Sequence, residues 1–458
     1  MAIATINPAT GKMEREFSAH TEAEVEERIA GAHAAYQQLR SASFEQRAQW
    51  MHAAADVLES DVEAAAELLT LEMGKTIKQA RAEVLKSVYA MRFYADKAAE
   101  FLSGEQLADP ALVNASAAWT TYEPIGPILA VMPWNYPLWQ VVRFAAPALM
   151  AGNTALLKHA SNVPQAALYL EDLFRRGRFP DGSFYTLLIS SGRVEDVLRD
   201  ERVVAVTLTG SEPAGRSVAA IAGSEIKPVV LELGGSDPFI VLPSADLDEA
   251  VETAVTSRTT NNGQACINAK RFIVHTDVYD EFAAKFTAAM ESLRMGDPAS
   301  ESIDIGPLAT ESGRAEVAEL VEDAVAKGAD VLTGGTAPSG AGFYYPPTVI
   351  GGITTEMSLY RDEAFGPVAS LYRVDSAEEA VRIANDTTFG LSSAVWTRDD
   401  EEAQRVVAAL DTGAVFINGM SISYPELPFG GVKDSGVGRE LSAEGIRAFC
   451  NLKSVWKG

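Results

Sequence analysis

Between residues 21 and 102, apolar side chains recur at helical spacing, as in Val62, Ala66, Leu69 and Met73, among many Ala, Glu and Arg residues. That period predicts amphipathic helices through the whole stretch. After Pro124 the pattern changes. Short apolar runs rich in β-branched residues predict strands at 128–132, 154–158, 203–207, 228–231, 238–242, 271–274, 393–397 and 414–418. Between them, helical periodicity predicts helices at 164–175, 194–198, 249–258, 279–293, 313–327, 377–384 and 401–410. Strands alternating with helices predict an α/β protein with parallel sheets covered on both faces. One sheet holding every strand would be large, so two α/β units are expected. Residues 334–347 read as a Gly/Pro-rich loop or hairpin, and the tail at 445–456 as a strand.

Composition narrows the possible partners. The 458-residue chain has 63 acidic against 38 basic residues, a net charge of −25. A surface this acidic repels phosphate backbones and anionic lipids, which excludes nucleic acid and membrane as main partners. The only cysteines are Cys266 and Cys450. Such low usage suits a reducing compartment without a disulfide framework. The first twelve residues carry no basic-then-apolar leader, and no apolar run reaches membrane-spanning length. A cytoplasmic protein is expected.

Four segments carry candidate chemistry. Cys266 ends the polar, Gly-containing run Asn261-Asn262-Gly263-Gln264-Ala265-Cys266. Alone, a cysteine reads as a small buried apolar residue. In a polar turn its thiol can instead be activated by amides and charges. Glu232 ends an apolar strand and precedes Gly234 and Gly235, where a sheet meets a cleft. Burial there raises a carboxylate into the range of a general base. Asn135 is fixed between Pro133 and Pro137, so its amide can donate to a developing oxyanion. Thr209-Gly210-Ser211, followed by Pro213 and Gly215, reads as a helix start that can take a diphosphate.

Together these segments resemble the aldehyde dehydrogenase superfamily over essentially the whole chain. The motifs stand in family order: Pro133-Trp134-Asn135, Gly152-Asn153-Thr154 with Lys158, Thr209-Gly210-Ser211, Glu232-Leu233-Gly234-Gly235, Gly263-Gln264-Ala265-Cys266, Glu363-Ala364-Phe365-Gly366-Pro367 and Pro428-Phe429-Gly430-Gly431. The resemblance implies a Rossmann-like cofactor domain (1–105 and 125–232), an α/β catalytic domain (233–430) and a small β oligomerisation element (106–124 and 443–458). It implies that the Cys266 thiolate attacks the aldehyde, with Asn135 and the Cys266 N–H stabilising the oxyanion. Glu232 then activates the water that hydrolyses the thioester to a free acid. Lys158 and Ser211 would hold the adenosine ribose and diphosphate, and Glu363 the nicotinamide ribose. Phe365, Trp134, Gly210, Gly215 and Leu233 belong to the same cofactor cleft. No metal is expected.

The details resemble one branch of the family, the bacterial succinate-semialdehyde dehydrogenases, and the following expectations are what that resemblance implies. Ser161 stands where many NAD-preferring relatives carry a glutamate, so NADP is expected, with NAD as the weaker alternative. Arg143, eight residues after Asn135, matches a carboxylate-binding arginine, and Ser423 matches a serine that helps it. A second arginine found in some relatives is replaced by Thr260, and a second cysteine by Asn268, so no redox switch is expected in the catalytic loop. Glutarate semialdehyde or a general aliphatic aldehyde are alternative substrates. A cysteine esterase would need a histidine base beside Cys266, and none of the five histidines (His20, His33, His52, His159 and His275) sits in such a motif. A catalytically silent binding protein is the third alternative. Relatives assemble as dimers or tetramers through a C-terminal strand; here residues 445–456 and 116–122 could serve.

Overall fold

The computed structural model describes residues 2–458. The N-terminal region folds as four helices, Glu22–Ser41, Phe44–Ser60, Val62–Met73 and Ile77–Phe101. Local chemistry sets their ends. Thr21 and Glu24 form a reciprocal capping box, Ser43 caps the second helix, and Gly74, at φ 79°, ends the third. An antiparallel hairpin, Ile3–Asn7 with Lys12–Phe17, precedes them. Its second strand is exposed along nearly its whole length, so it leaves no apolar alternation in the sequence.

Two separate sheets follow. The first has six strands in the order Gly436–Val437, Val229–Glu232, Ala205–Thr209, Pro127–Met132, Thr154–His159, Phe184–Thr186. All but the first run parallel. The chain starts at Pro127–Met132, builds outward on one side, then returns to build on the other. The order therefore reverses between Pro127–Met132 and Ala205–Thr209, and a crevice opens at the carboxyl ends of those strands. The second sheet has seven strands in the order Asp330–Thr333, Thr348–Gly351, Val368–Val374, Ala269–His275, Asp237–Val241, Ser392–Trp396, Ala414–Ile417. Only its first pair is antiparallel, joined across the expected loop at 334–347. Cys450–Lys457 pairs with Ala117–Pro124 as a separate two-stranded ribbon.

Most predicted elements are present with ends shifted by a few residues. Residues 431–442, which the sequence assigns to no unit, return to the first sheet. There Gly436 pairs with Glu232, and Ser435 accepts from the Leu233 N–H at 2.9 Å. Among the described residues, no helix is long and apolar enough to cross a membrane.

Candidate active site

The motifs converge because of strand polarity. Trp134, Asn135, Ser161, Ser211 and Leu233 all lie just beyond the carboxyl ends of parallel strands of the first sheet. Cys266 and Glu363 lie just before the amino ends of Ala269–His275 and Val368–Val374 in the second.

The nucleophile loop is held in a costly conformation. Asn261 (φ 58°), Asn262 (φ 56°) and Gly263 (φ 78°) are consecutive left-handed residues. Their side chains and neighbours offset that strain. Asn262 Nδ2 donates to the carbonyls of Gly74 (2.8 Å) and Pro307 (2.9 Å), and its Oδ1 accepts from Gly306 N–H at 2.9 Å. Asn261 Nδ2 donates to the carbonyls of Asn135 (2.8 Å) and Gln264 (3.0 Å), tying this loop to the one bearing Asn135. A Cβ on Gly263 would lie 2.4 Å from the Gly366 carbonyl carbon, so only glycine fits. Asn268 is buried and bonds the carbonyls of Arg258 and Thr260, a structural use of the position where some relatives carry a cysteine.

Cys266 is half-buried and free. Burial pushes its thiol up to about 12, while Arg143 and then Lys270 pull it down. Lys270 also donates to the carbonyls of Ala265 (2.9 Å) and Cys266 (2.6 Å) and pairs with Glu363 at 2.9 Å. The Cys266 N–H has no hydrogen-bond partner among the described residues. Asn135 Nδ2 spends one hydrogen on the Gln264 carbonyl at 3.1 Å, which leaves the other. Both the second Asn135 amide hydrogen and the Cys266 N–H are thus left without an acceptor.

Glu232 is buried, and among the described residues neither carboxylate oxygen has a hydrogen-bond partner. Burial, then the neighbouring Glu440, raises it well above the usual carboxylate range; Arg143 and Arg439 oppose this. Room for the carboxylate comes from Gly430, where a Cβ would lie 2.7 Å from Glu232 Oε1.

Arg143 has a carboxylate partner within the chain. The sequence makes it a clamp for a distal substrate carboxylate. The structure gives its charge to Glu440, with which it forms a buried ion pair. It also donates to Thr209 Oγ1 at 3.4 Å and lies 4.7 Å from the Phe429 ring centre. A guanidinium this enclosed is matched by the carboxylate beside it. Glu440 carries no local sequence signal, and only the fold brings it to Arg143. Ser423 is buried beside Lys86, which no local sequence signal singles out.

The cofactor cleft fits an anionic dinucleotide. Lys158 is buried with no carboxylate partner, and desolvation lowers its pKa. An anion beside it would relieve that cost. Ser161 is half-buried and does not cap the following helix, whose N-cap is Val163. Ser211 is the N-cap of Glu212–Ser224 but makes no capping bond, so both its hydroxyl and the helix amides stay available. Gly215 lets that helix approach Leu233, since a Cβ there would lie 2.6 Å from the leucine methyl. Gly210 N–H bonds the Glu232 carbonyl at 3.0 Å. Trp134 and Phe365 meet edge to face at 5.7 Å and line a cavity with Glu363 and Gln264. His159, buried and pushed down to about 4, is neutral. Its Nδ1 accepts from Ala160 N–H at 3.0 Å, so Nε2–H donates to the Pro137 carbonyl at 2.9 Å. It therefore steadies the Asn135 loop and is unavailable as a base for Cys266.

This fold and site define an aldehyde dehydrogenase. The family profile "Aldehyde dehydrogenase family" matches residues 1–455, and the chain belongs to that family. Succinate-semialdehyde dehydrogenase [NADP(+)] 1 of Mycobacterium tuberculosis is 62% identical over 456 residues, covering 100% of both chains. Succinate-semialdehyde dehydrogenase [NADP(+)] of Mycobacterium avium is 60% identical over 459 residues, covering 100% of this chain and 97% of its own. Among solved structures, succinic semialdehyde dehydrogenase from Streptococcus pyogenes in complex with NADP+ superposes with a TM-score of 0.96 at 38% identity, covering 99% of each chain.

Proposed function

We infer that this protein oxidises succinate semialdehyde to succinate with NADP in the cytoplasm. The observation that carries the chemistry is the convergence of Cys266, two free oxyanion donors and the unpartnered carboxylate of Glu232. Full-length identity to enzymes named for that substrate and cofactor supports the choice of aldehyde.

Cys266, once ionised, adds to the aldehyde carbon, and the oxygen takes up charge between the Asn135 amide and the Cys266 N–H. NADP, held by Lys158, Ser161 and Ser211 with Glu363 at the nicotinamide ribose, would supply the hydride acceptor. Glu232 then takes a proton from the water that attacks the Cys266 thioester, and the acid departs. Lys158 and Ser161 favour a 2′-phosphate because they place a cation and a hydroxyl, with no carboxylate, at the ribose end of the cleft.

The test is cofactor reduction across an aldehyde panel with NADP and NAD. The highest kcat/KM is expected for succinate semialdehyde with NADP. A preference for NAD, or for an aldehyde without a carboxylate, overturns the corresponding half of the reading.

A further inference from the structure

With Arg143 committed to Glu440, the distal carboxylate of succinate semialdehyde lacks an assigned cation. An open cleft with about 760 Å³ of empty space is lined by Lys86, Tyr136, Thr260, Ile267, Asn268 and Met420. Ile267 and Asn268 directly follow the nucleophile, so this cleft borders the Cys266 loop.

Lys86 sits in its wall. Its Nζ donates to Ser423 Oγ at 2.8 Å and lies 4.2 Å from the Trp139 ring centre. It forms no ion pair among the described residues. The nearby carboxylates are engaged: Glu83 pairs with Lys75 and accepts from two backbone amides, and Glu440 pairs with Arg143. Ser423 Oγ also accepts from Trp139 Nε1 at 3.1 Å. Two donors occupy both lone pairs of that oxygen, so its own O–H is left to donate. An ammonium with spare N–H groups in the wall of an open cleft is a receptor for an oxyanion.

We propose that Lys86, held in place by Ser423 and Trp139, binds the distal carboxylate of the substrate and sets the preference for aldehydes that carry one. The assignment rests on the succinate semialdehyde reading above. Electrostatics agree. Burial pushes Lys86 down to about 7, Arg143 adds to the push, and Glu83 and Cys266 oppose it. A carboxylate in the cleft restores the charged form.

The experiment compares kcat/KM for succinate semialdehyde and butanal, a neutral aldehyde of equal chain length, in the full-length enzyme with NADP. Lys86→Met is expected to lower the succinate semialdehyde to butanal ratio roughly thirtyfold, mostly through KM, as for loss of a hydrogen-bonded charge. Lys86→Arg should restore most of the ratio. Succinate inhibition of butanal oxidation should weaken by a similar factor in Lys86→Met, a readout independent of semialdehyde turnover. A wild-type enzyme without preference for succinate semialdehyde overturns the substrate reading and this assignment with it. A wild-type preference that survives in Lys86→Met overturns this assignment alone.

Discussion

Single residues here are defined by what surrounds them. Glu232 has no hydrogen-bond partner and is held well above the ordinary carboxylate range by burial. Its base form therefore appears only as pH rises through that raised value. The steady-state rate should climb from neutral into alkaline pH wherever thioester hydrolysis limits. Glu232→Gln should flatten that limb and lower kcat by roughly 10²–10⁴. The first turnover should survive as a burst of cofactor reduction, because Cys266 acts before Glu232 is needed. Stopped-flow and pH–rate measurements check both; loss of the burst would remove Glu232 from the hydrolytic step. At the other end of the cleft, Ser161→Glu places a carboxylate where a 2′-phosphate is proposed to lie. It should lower kcat/KM with NADP by roughly a hundredfold and spare NAD, since like charges cost several kcal/mol at such range. Equal losses with both cofactors would place the 2′-phosphate elsewhere.

At the scale of elements, the decisive contact joins two helices distant in sequence. The helix Trp139–Ala151 receives no side-chain cap from its own N-terminus. Glu83, from Ile77–Phe101, supplies one: its Oε1 accepts from the N–H groups of Leu138 (2.9 Å) and Trp139 (3.0 Å). Lys75 balances its charge in a fully buried pair and lies 4.1 Å from the Tyr136 ring centre. This contact fixes the turn that presents Asn135. Glu83→Ala leaves Lys75 unpaired and should cost about 3–5 kcal/mol of stability, read by urea denaturation. Lys75→Met combined with Glu83→Gln should recover part of that loss, because the amide oxygen still caps the helix and no lone charge is buried. No recovery would mean that the cap and the charge pair are not separable. The elements also show where a single sequence falls short. Val368–Val374 lies inside the second sheet, yet its buried Ser370 breaks the apolar run and exposed Arg373 mimics a surface position. Thr348–Gly351 is only four residues long. Neither stands out by periodicity, whereas Ala205–Thr209 and Asp237–Val241 do.

At the scale of the molecule, the ribbon of Cys450–Lys457 and Ala117–Pro124 protrudes with little cover. Leu452 and Trp456 are more than half exposed, at 53% and 57%. One edge is partly covered, where Gln106 bridges to Trp119; the outer edge of Cys450–Lys457 is open. Ala414–Ile417 is likewise an outermost strand of its sheet. Open edges with apolar side chains are rarely left in water. These two edges are proposed to pair between subunits, by addition of one strand to the neighbour's sheet. On this proposal the full-length protein sediments as an oligomer, and deleting residues 450–458 should leave monomers in analytical ultracentrifugation. An unchanged sedimentation coefficient per subunit would move the interface elsewhere.

The sequence by itself determined the alternation of strands and helices and the identity of Cys266, Asn135 and Glu232. Those residues sit in short segments whose chemistry is local: a Gly-containing turn, an Asn between prolines, a carboxylate at a strand end. Side-chain pairing between distant segments was beyond its reach. Arg143 read as a substrate clamp because its place on the helix was right; the carboxylate that neutralises it arrives 297 residues later, when residues 431–442 fold back on the first sheet. Nothing in the sequence marks Lys86; only the fold brings Ser423 and Trp139 against it without a carboxylate. A charge's role depends on which opposite charge reaches it first, and only the tertiary structure decides that.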